Sequence, residues 1–242
     1  MSDSLASAGP ETFVLIQPRE IKEAIFRALC SVGADPLEAQ EGALAVLRAE
    51  AHERVGLHLA PQLLEPAWAI SQLPSRVASI ERGGTRVREL SCPGQPALRT
   101  MIELIELACD GLDERTSIAY TAGKCLPGQL WNEILLRQSA RLQRRMVMVN
   151  VEDAPGPETG IQTAVRTVDA GAVTVEAGLS SAIAAIVPAE LLTPGVTLIA
   201  ILQDPIQTIT ATQPVPPKPL KVREEEWMKV TMSARKFLVP DS

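Results

Sequence analysis

Aromatic side chains make up only 3% of these 242 residues, and histidine occurs just twice. So little aromatic surface excludes the base-stacking platforms that hold single-stranded nucleic acid. A cationic surplus is missing too. Lys and Arg number 23 against 29 Asp and Glu, a net charge of -6, whereas phosphate backbones are bound by an excess of positive side chains. No nucleic-acid partner is expected. No apolar run reaches the roughly 20 residues that a membrane span needs, and Met1 to Pro10 lacks the basic and apolar segments of a secretory signal. These absences predict a cytoplasmic protein with no membrane partner. The four cysteines, Cys30, Cys92, Cys109 and Cys125, form no CxxC pair, which fits reduced thiols better than a disulfide framework. Cys30 and Cys109 lie in apolar helical patterns and read as small buried hydrophobes.

What is present is an ordinary globular composition, 46% hydrophobic and 21% charged, long enough to bury a substantial core. Ile21, Ala24, Ile25, Ala28, Leu29 and Val32 recur at helical spacing, with Gly33 placed as a left-handed stop. Asp35, Pro36 and Glu38 then spell a capping box with proline at the first helical position. Leu37, Leu44, Leu47 and Ala51 are expected to form the inward stripe of that second helix. The two helices are predicted to deliver both histidines, His52 and His58, to one short connection. Leu63, Leu64, Trp68 and Ile70 suggest a third helix, with Pro66 near its start or kinking it.

From Arg76 to Ser91 the apolar period changes to two, and Gly83-Gly84 reads as a hairpin turn. A helix follows from Pro96 to Leu112, its stripe of Leu98, Met101, Ile102, Ile105 and Ala108 directed at a core. A strand near Ser117 to Thr121, a helix from Gly128 to Leu142 and a strand from Met146 to Val151 make a crossover unit of a parallel or mixed sheet. Val165 to Val175 and Val196 to Leu202 read as further strands around a small-residue segment at Ser180 to Ala185. Pro214, Pro216, Pro217 and Pro219 form a stiff spacer. Behind it a helix from about Arg223 to Arg235 puts Trp227, Val230 and Ala234 on one face, a clasp for its own domain or for a neighbouring subunit.

The expected fold class is therefore α/β: an N-terminal helical pair, a mixed β-sheet with crossover helices, a β-rich second half and a C-terminal helix. Pro155, Gly156, Pro157 and Gly160 mark a lobe boundary. It divides a helical and α/β lobe (1–152) from a β-rich lobe (153–213), followed by the spacer and C-terminal helix (214–242). A homo-oligomer, or a subunit of a protein complex, is expected.

Helix, capped helix, Ala49-Glu50, a His-containing turn and Leu63 come in an order that resembles the opening of the malate/L-lactate dehydrogenase family that lacks a Rossmann domain. That family contains 2-oxoacid, ureidoglycolate, diketogulonate and cyclic-imine reductases. The resemblance implies an acidic residue at Glu50 and, laid on without gaps, places Gly56, Leu57 and His58 against a Ser-His-Gly triplet whose histidine is the proton donor. His58 stands one place out of register. Ile118 to Gly128, IAYTAGKCLPG, resembles the family's strand and Asn-Ser-x-His-x-Gly turn; Gly128 matches the glycine, and Cys125 and Leu126 stand where its histidine would be. The strand ending at Asn150 is similar as well, but no NAD(P)-binding segment is recognisable after it. The expectation is accordingly no bound cofactor, with NAD(P) the one candidate. Glu226 to Ser242 resembles the Trp-containing tail of a smaller bacterial family of unknown function.

Chemical candidates follow from both sources. His58 is placed to act as an acid or base, since an imidazole titrates near neutrality; its bland alternative is a solvated surface histidine. His52 and His58 lack the spacing of a metal pair, and no metal is expected. Gly123, Lys124 and the helix start at Gly128 would hold a carboxylate through backbone N–H groups and one ammonium, Arg54 would add a second cation, and Cys125 would be nucleophilic if the helix dipole lowered its pKa. The alternative there is a plain strand-to-helix turn with a solvated lysine. Arg137, Arg141, Arg144, Arg145 and Arg166 read as a solvated basic patch. Two functions remain open: a shortened, cofactor-poor relative of the oxidoreductases serving as a scaffold or small-molecule-binding subunit, or an active enzyme on a small carboxylate or cyclic nitrogen compound using His58 and Lys124.

Overall fold

The computed structural model describes residues 11–64, 68, 75–82, 85–110, 116–123, 126–153, 161–169, 172–205 and 215–238, with backbone alone at 81, 82, 85, 86, 153, 161, 162, 182, 203–205 and 238. Its contacts divide the chain into two compact units, Met1–Leu64 with Val215–Ser242 and Glu65–Pro214, called here the terminal and the central unit. The lobe boundary expected at 152–160 falls mostly outside the described residues, and the strands on either side of it pair within one sheet.

The terminal unit is helical. Strand β1 (Phe13–Ile16) leads into α1 (Pro18–Ser31), whose N-terminus is closed by a Gln17–Glu20 capping box. Gly33 follows at φ 103°, the left-handed stop that the sequence predicts. α2 (Pro36–Glu53) opens on the Asp35–Glu38 box, the Asp35 carboxylate accepting from the Leu37 N–H at 2.8 Å. Its inward face keeps Leu47 of the expected stripe but not Leu37, which is 74% exposed; Ala39, Gly42, Ala43, Ala45, Val46, Ala49 and Glu50 are buried with Leu47. Small residues there let α1 and α2 approach closely, while Leu37, in the first turn, lies beyond the contact.

α3 (Gly56–Leu63), where the sequence suggests only a His-containing turn, follows α2 after Arg54 and Val55 and carries Pro61 inside it; the third helix expected around Leu63 to Ile70 lies mostly outside the described residues, and Trp68 is helical. Ile70 and Pro66 lie outside the described residues. At the far end of the chain β9 (Leu220–Arg223) pairs antiparallel with β1, and α7 (Glu224–Arg235) packs on α1 and α3. Val230 and Ala234 are buried and Trp227 half-buried. The C-terminal helix thus clasps its own unit, with the Ser31 hydroxyl donating to the Ser233 carbonyl at 3.2 Å.

The central unit is a seven-stranded mixed sheet. In chain order its strands are β2 (Arg76–Arg82), β3 (Thr85–Ser91), β4 (Thr116–Ala122), β5 (Arg144–Asp153), β6 (Ile161–Asp169), β7 (Ala172–Ala177) and β8 (Val196–Pro205); in space they run β2-β3-β4-β8-β5-β6-β7. β2 and β3 form the expected hairpin, whose turn at Gly83-Gly84 lies outside the described residues. Val165 to Val175 resolves into two paired strands, β6 and β7, rather than one. Helices α4 (Ala97–Cys109) and α5 (Gly128–Leu142) make the crossovers from β3 to β4 and from β4 to β5. β4 and β5 are parallel, as that unit requires, but β8 inserts between them and runs antiparallel to both.

Alternation sorts the side chains. Ile118, Tyr120, Val147, Val149, Val151, Val165, Leu198 and Ala200 face one way and pack under Ile183, Val187 and Leu191 from the 181–192 segment, where α6 (Ser181–Ala184) is a single turn. The other face lies under α4 and α5. Cys30, Cys92 and Cys109 are half-buried free thiols. Arg144, Arg145 and Arg166 lie on strands rather than on the helix face expected for the basic patch, and Arg145 pairs with Asp169. Among the described residues no helix is long and apolar enough to cross a membrane.

Candidate functional site

In the terminal unit the chemistry gathers at the α2–α3 corner. α2 ends on Arg54, held in the left-handed region at φ 58°, and the chain turns within two residues into α3. α3 has no local capping side chain. Its cap comes from one helix back: Glu50, buried on α2, accepts the Leu57 N–H at 2.9 Å and is bonded by the Gly56 backbone as well. A carboxylate at a helix N-terminus satisfies orphan donors and favours the dipole. The approach is so close that a Cβ on Gly56 would stand 2.1 Å from the Val46 carbonyl oxygen; only glycine fits.

His52 and His58 therefore both sit on helices, in the last turn of α2 and the first turn of α3, not in a connecting loop. The His58 side chain is 67% exposed, and its Nδ1 lies 3.2 Å from Glu226 Oε1 on α7. Glu226, 15% exposed, also receives Arg223 Nη1 at 3.4 Å, and Arg223 reaches Glu11 at 3.5 Å. The sequence shows Glu224, Glu225 and Glu226 only as first-turn acids; that the third holds an imidazole depends on a contact 168 residues apart. A cavity of about 500 Å³ in this unit lies between α1 and α7, lined by Arg19, Arg27, Trp227 and Arg235 among others, and neither Arg54 nor His58 lines it.

Desolvation by burial raises the Glu50 carboxyl above its ordinary 4.5; the Leu57 N–H pulls it down, Glu226 pushes it up, and the Gly56 N–H and Arg54 pull it down. Because the folded value lies above the unfolded one, the folded chain takes up this proton first, so stability rises as pH falls through the folded pKa toward 4.5. Glu50→Gln keeps an acceptor for Leu57 and removes the titration. Its urea midpoint, followed by Trp227, the single tryptophan of this unit, is expected to lose that acid-side gain; a variant with the parent's slope would assign the gain to another carboxylate.

The central unit holds the second group of predicted residues. Gly123, at φ 139°, ends β4 and donates its N–H to the Gly195 carbonyl at 2.9 Å, and Gly128 is the first residue of α5. Lys124 and Cys125 lie outside the described residues. Leu126 is buried, and its carbonyl accepts the Trp131 indole N–H at 3.1 Å, which locks the turn to the helix it precedes. The described thiols are not activated nucleophiles: burial raises the pKa of Cys30 and Cys109, and burial with Glu103 pushes Cys92 up to about 12. Among the described residues no three His, Cys, Asp or Glu side chains are grouped to hold a metal ion.

The sequence puts Arg166 in a solvated basic patch and does not show its place beside Gly128. A Cβ on Gly128 would stand 1.6 Å from Arg166 Nη2, so the guanidinium occupies the space beside the first residue of α5. The pairing depends on β6 lying one strand beyond β5, which a separation of 38 positions does not reveal locally.

The backbone can be compared with known structures. The chain superposes on a dehydrogenase from Sinorhizobium meliloti with a TM-score of 0.61 at 12% identity, the match covering 92% of this chain and 100% of the other. On malate dehydrogenase from Entamoeba histolytica the TM-score is 0.61 at 9% identity, covering 95% and 99%. The fold is malate/lactate dehydrogenase-like. A delta1-piperideine-2-carboxylate reductase from Pseudomonas syringae pvar. tomato matches with a TM-score of 0.51 at 12% identity over 94% and 96%. No protein-family model matches the sequence, and no curated protein matches it. At these identities the likeness is one of fold.

Proposed function

We propose that this protein is a divergent member of the malate/lactate dehydrogenase-like fold, without a complete NAD(P) site, that serves as a scaffold or small-molecule-binding subunit instead of carrying out hydride transfer. One observation carries this. At the place where the resemblance puts Ser-His-Gly, Gly56 has no room for a side chain and Leu57 is 1% exposed, packed into the core with its N–H on Glu50. A proton donor cannot be restored there without moving α3 off α2. The neighbouring His58 faces solvent and is held by Glu226, so it is not an enclosed acid or base in that donor's place. Glu50 is accounted for as a helix cap. The likeness of the Trp-containing C-terminal stretch to a smaller bacterial family belongs to the same proposal, as do a cytoplasmic location and assembly into a homo-oligomer or a larger complex.

A ligand that binds the native state must raise its stability. Melting the protein with NADH, NADPH, 2-oxoacids and cyclic imines is expected to show no shift with either nicotinamide. A saturable shift with one of them, or turnover abolished in His58→Ala and Lys124→Ala, would establish an active enzyme and overturn the scaffold role.

A further inference from the structure

We propose that the furrow between α1 and α7 is a docking groove for an acidic amphipathic helix of a partner protein. The proposal gives the scaffold role above a concrete form and rests on it. The cavity of about 500 Å³ runs along both helices, from Arg19 to Arg27 on one bank and from Trp227 to Arg235 on the other. Each bank rises about 12 Å, a little over two turns, so the space is a trough and not a compact socket. Its floor is made by Ala24 and Ala234, both buried, and their small side chains let a third backbone come close. Arg19, Glu23 and Arg235 are exposed. The trough therefore opens to solvent.

The outer bank is apolar. Met228 and Met232 form the row next to Trp227 and Thr231, about 100° further round α7, and are 46% and 61% exposed. Phe237, also exposed, follows in the short turn Lys236–Leu238. Flexible methionines beside a half-buried tryptophan are what a helix-in-groove surface offers to an aliphatic stripe. Charge then selects the partner. Glu20 is committed to the Gln17 N–H and Glu23 to Arg27. No ion pair among the described residues holds Arg19 or Arg235. Three guanidinium groups against two carboxylates leave the lining at +1 in a chain of net charge -6, and a guanidinium fork suits a carboxylate. The occupant is thus a helix with leucine-like residues at i, i+3 or i+4 and i+7, and acidic side chains on both flanks of that stripe. An anionic membrane fits worse, because a planar surface would extend past the trough and meet Glu224 and Glu225, exposed on the first turn of α7.

The experiment titrates the full chain into labelled synthetic peptides of about 14 residues, long enough to form a helix on binding, and reads fluorescence anisotropy. Two peptides share one leucine stripe and carry either Glu or Lys on its flanks; a third has the Glu composition with the stripe scrambled. The Glu peptide is expected to bind saturably and about tenfold more tightly than either of the others. Arg19→Ala combined with Arg235→Ala is expected to erase the preference for Glu over Lys. Met228→Ser combined with Met232→Ser should weaken the Glu peptide about tenfold. All four side chains are exposed, and an unchanged urea midpoint checks that the variants keep the fold; the parent titrations stand without them. No saturable binding of the Glu peptide, equal binding of the Glu and Lys or of the Glu and scrambled peptides, or an unchanged preference in the arginine variant would overturn the groove. Two further results would also overturn it. Binding to phosphatidylcholine–phosphatidylserine vesicles that the arginine variant loses would assign this face to a membrane, and a dimer in sedimentation velocity that the methionine variant dissociates would assign it to a second copy. Such a failure leaves the scaffold role standing, because that is decided by the nicotinamide melts.

Discussion

Gly56→Ala is expected to remove a large part of the terminal unit's stability. The added Cβ would lie 2.1 Å from the Val46 carbonyl oxygen, 2.6 Å from the Glu50 nitrogen and 2.9 Å from Glu50 Cβ. Two of these are backbone atoms inside a regular helix and cannot swing away. α3 would have to retreat by about 0.9 Å merely to restore a 3.0 Å separation, and the retreat stretches the buried bond from the Leu57 N–H to Glu50. Overpacking of this kind costs about 1–3 kcal/mol, and weakening a buried bond to a charged group adds about 1.5–3. The sum, roughly 2.5–6 kcal/mol, is an appreciable share of the ~5–15 that holds a typical domain. Trp227 fluorescence should report a large fall in the urea midpoint. A midpoint within experimental scatter of the parent would mean that the two helices do not touch here.

Trp131→Ala should do comparable damage to the central unit. The ring is 1% exposed and among the largest fully buried side chains, and its indole N–H holds the Leu126 carbonyl at 3.1 Å. Removing a buried aromatic costs about 3–5 kcal/mol through lost transfer energy and the cavity left behind. Trp131→Phe separates the two contributions: it keeps most of the packing and forfeits the bond, so a smaller loss of about 1–3 kcal/mol is expected from the unsatisfied carbonyl. Far-UV circular dichroism during urea unfolding follows both variants without relying on the altered fluorophore. Equal losses for Ala and Phe would show that the hydrogen bond, not the bulk of the ring, is what the turn depends on.

What the sequence discloses is what is local. The cap of α2 was readable because Asp35, Pro36 and Glu38 act within one helical turn, and α5 was readable because Gly128 to Leu142 keeps one period from end to end. α3 was not legible because its start bears no cap of its own; the acceptor for the Leu57 N–H is Glu50, seven residues upstream on another helix. The exposed Leu37 shows the limit of counting apolar positions, since α2 buries Leu47 as counted but sets Ala39, Ala43 and Ala49 beside it. Gly123 and Gly128 were found from turn chemistry. Arg166 and Glu226 were not, because their surroundings come from strand neighbours or a helix far along the chain.

The pairing of β1 with β9 joins Phe13 to Arg223 and Ile16 to Leu220. A chain emerging from the ribosome thus completes α1, α2 and α3 well before it makes the helix that covers them. At ~5–20 residues per second the intervening stretch takes on the order of ten to thirty seconds to synthesise. Throughout that interval α1 lacks part of its eventual cover. Nascent copies should therefore engage holding chaperones, and messages cut short before Leu220 should yield sticky, rapidly degraded fragments.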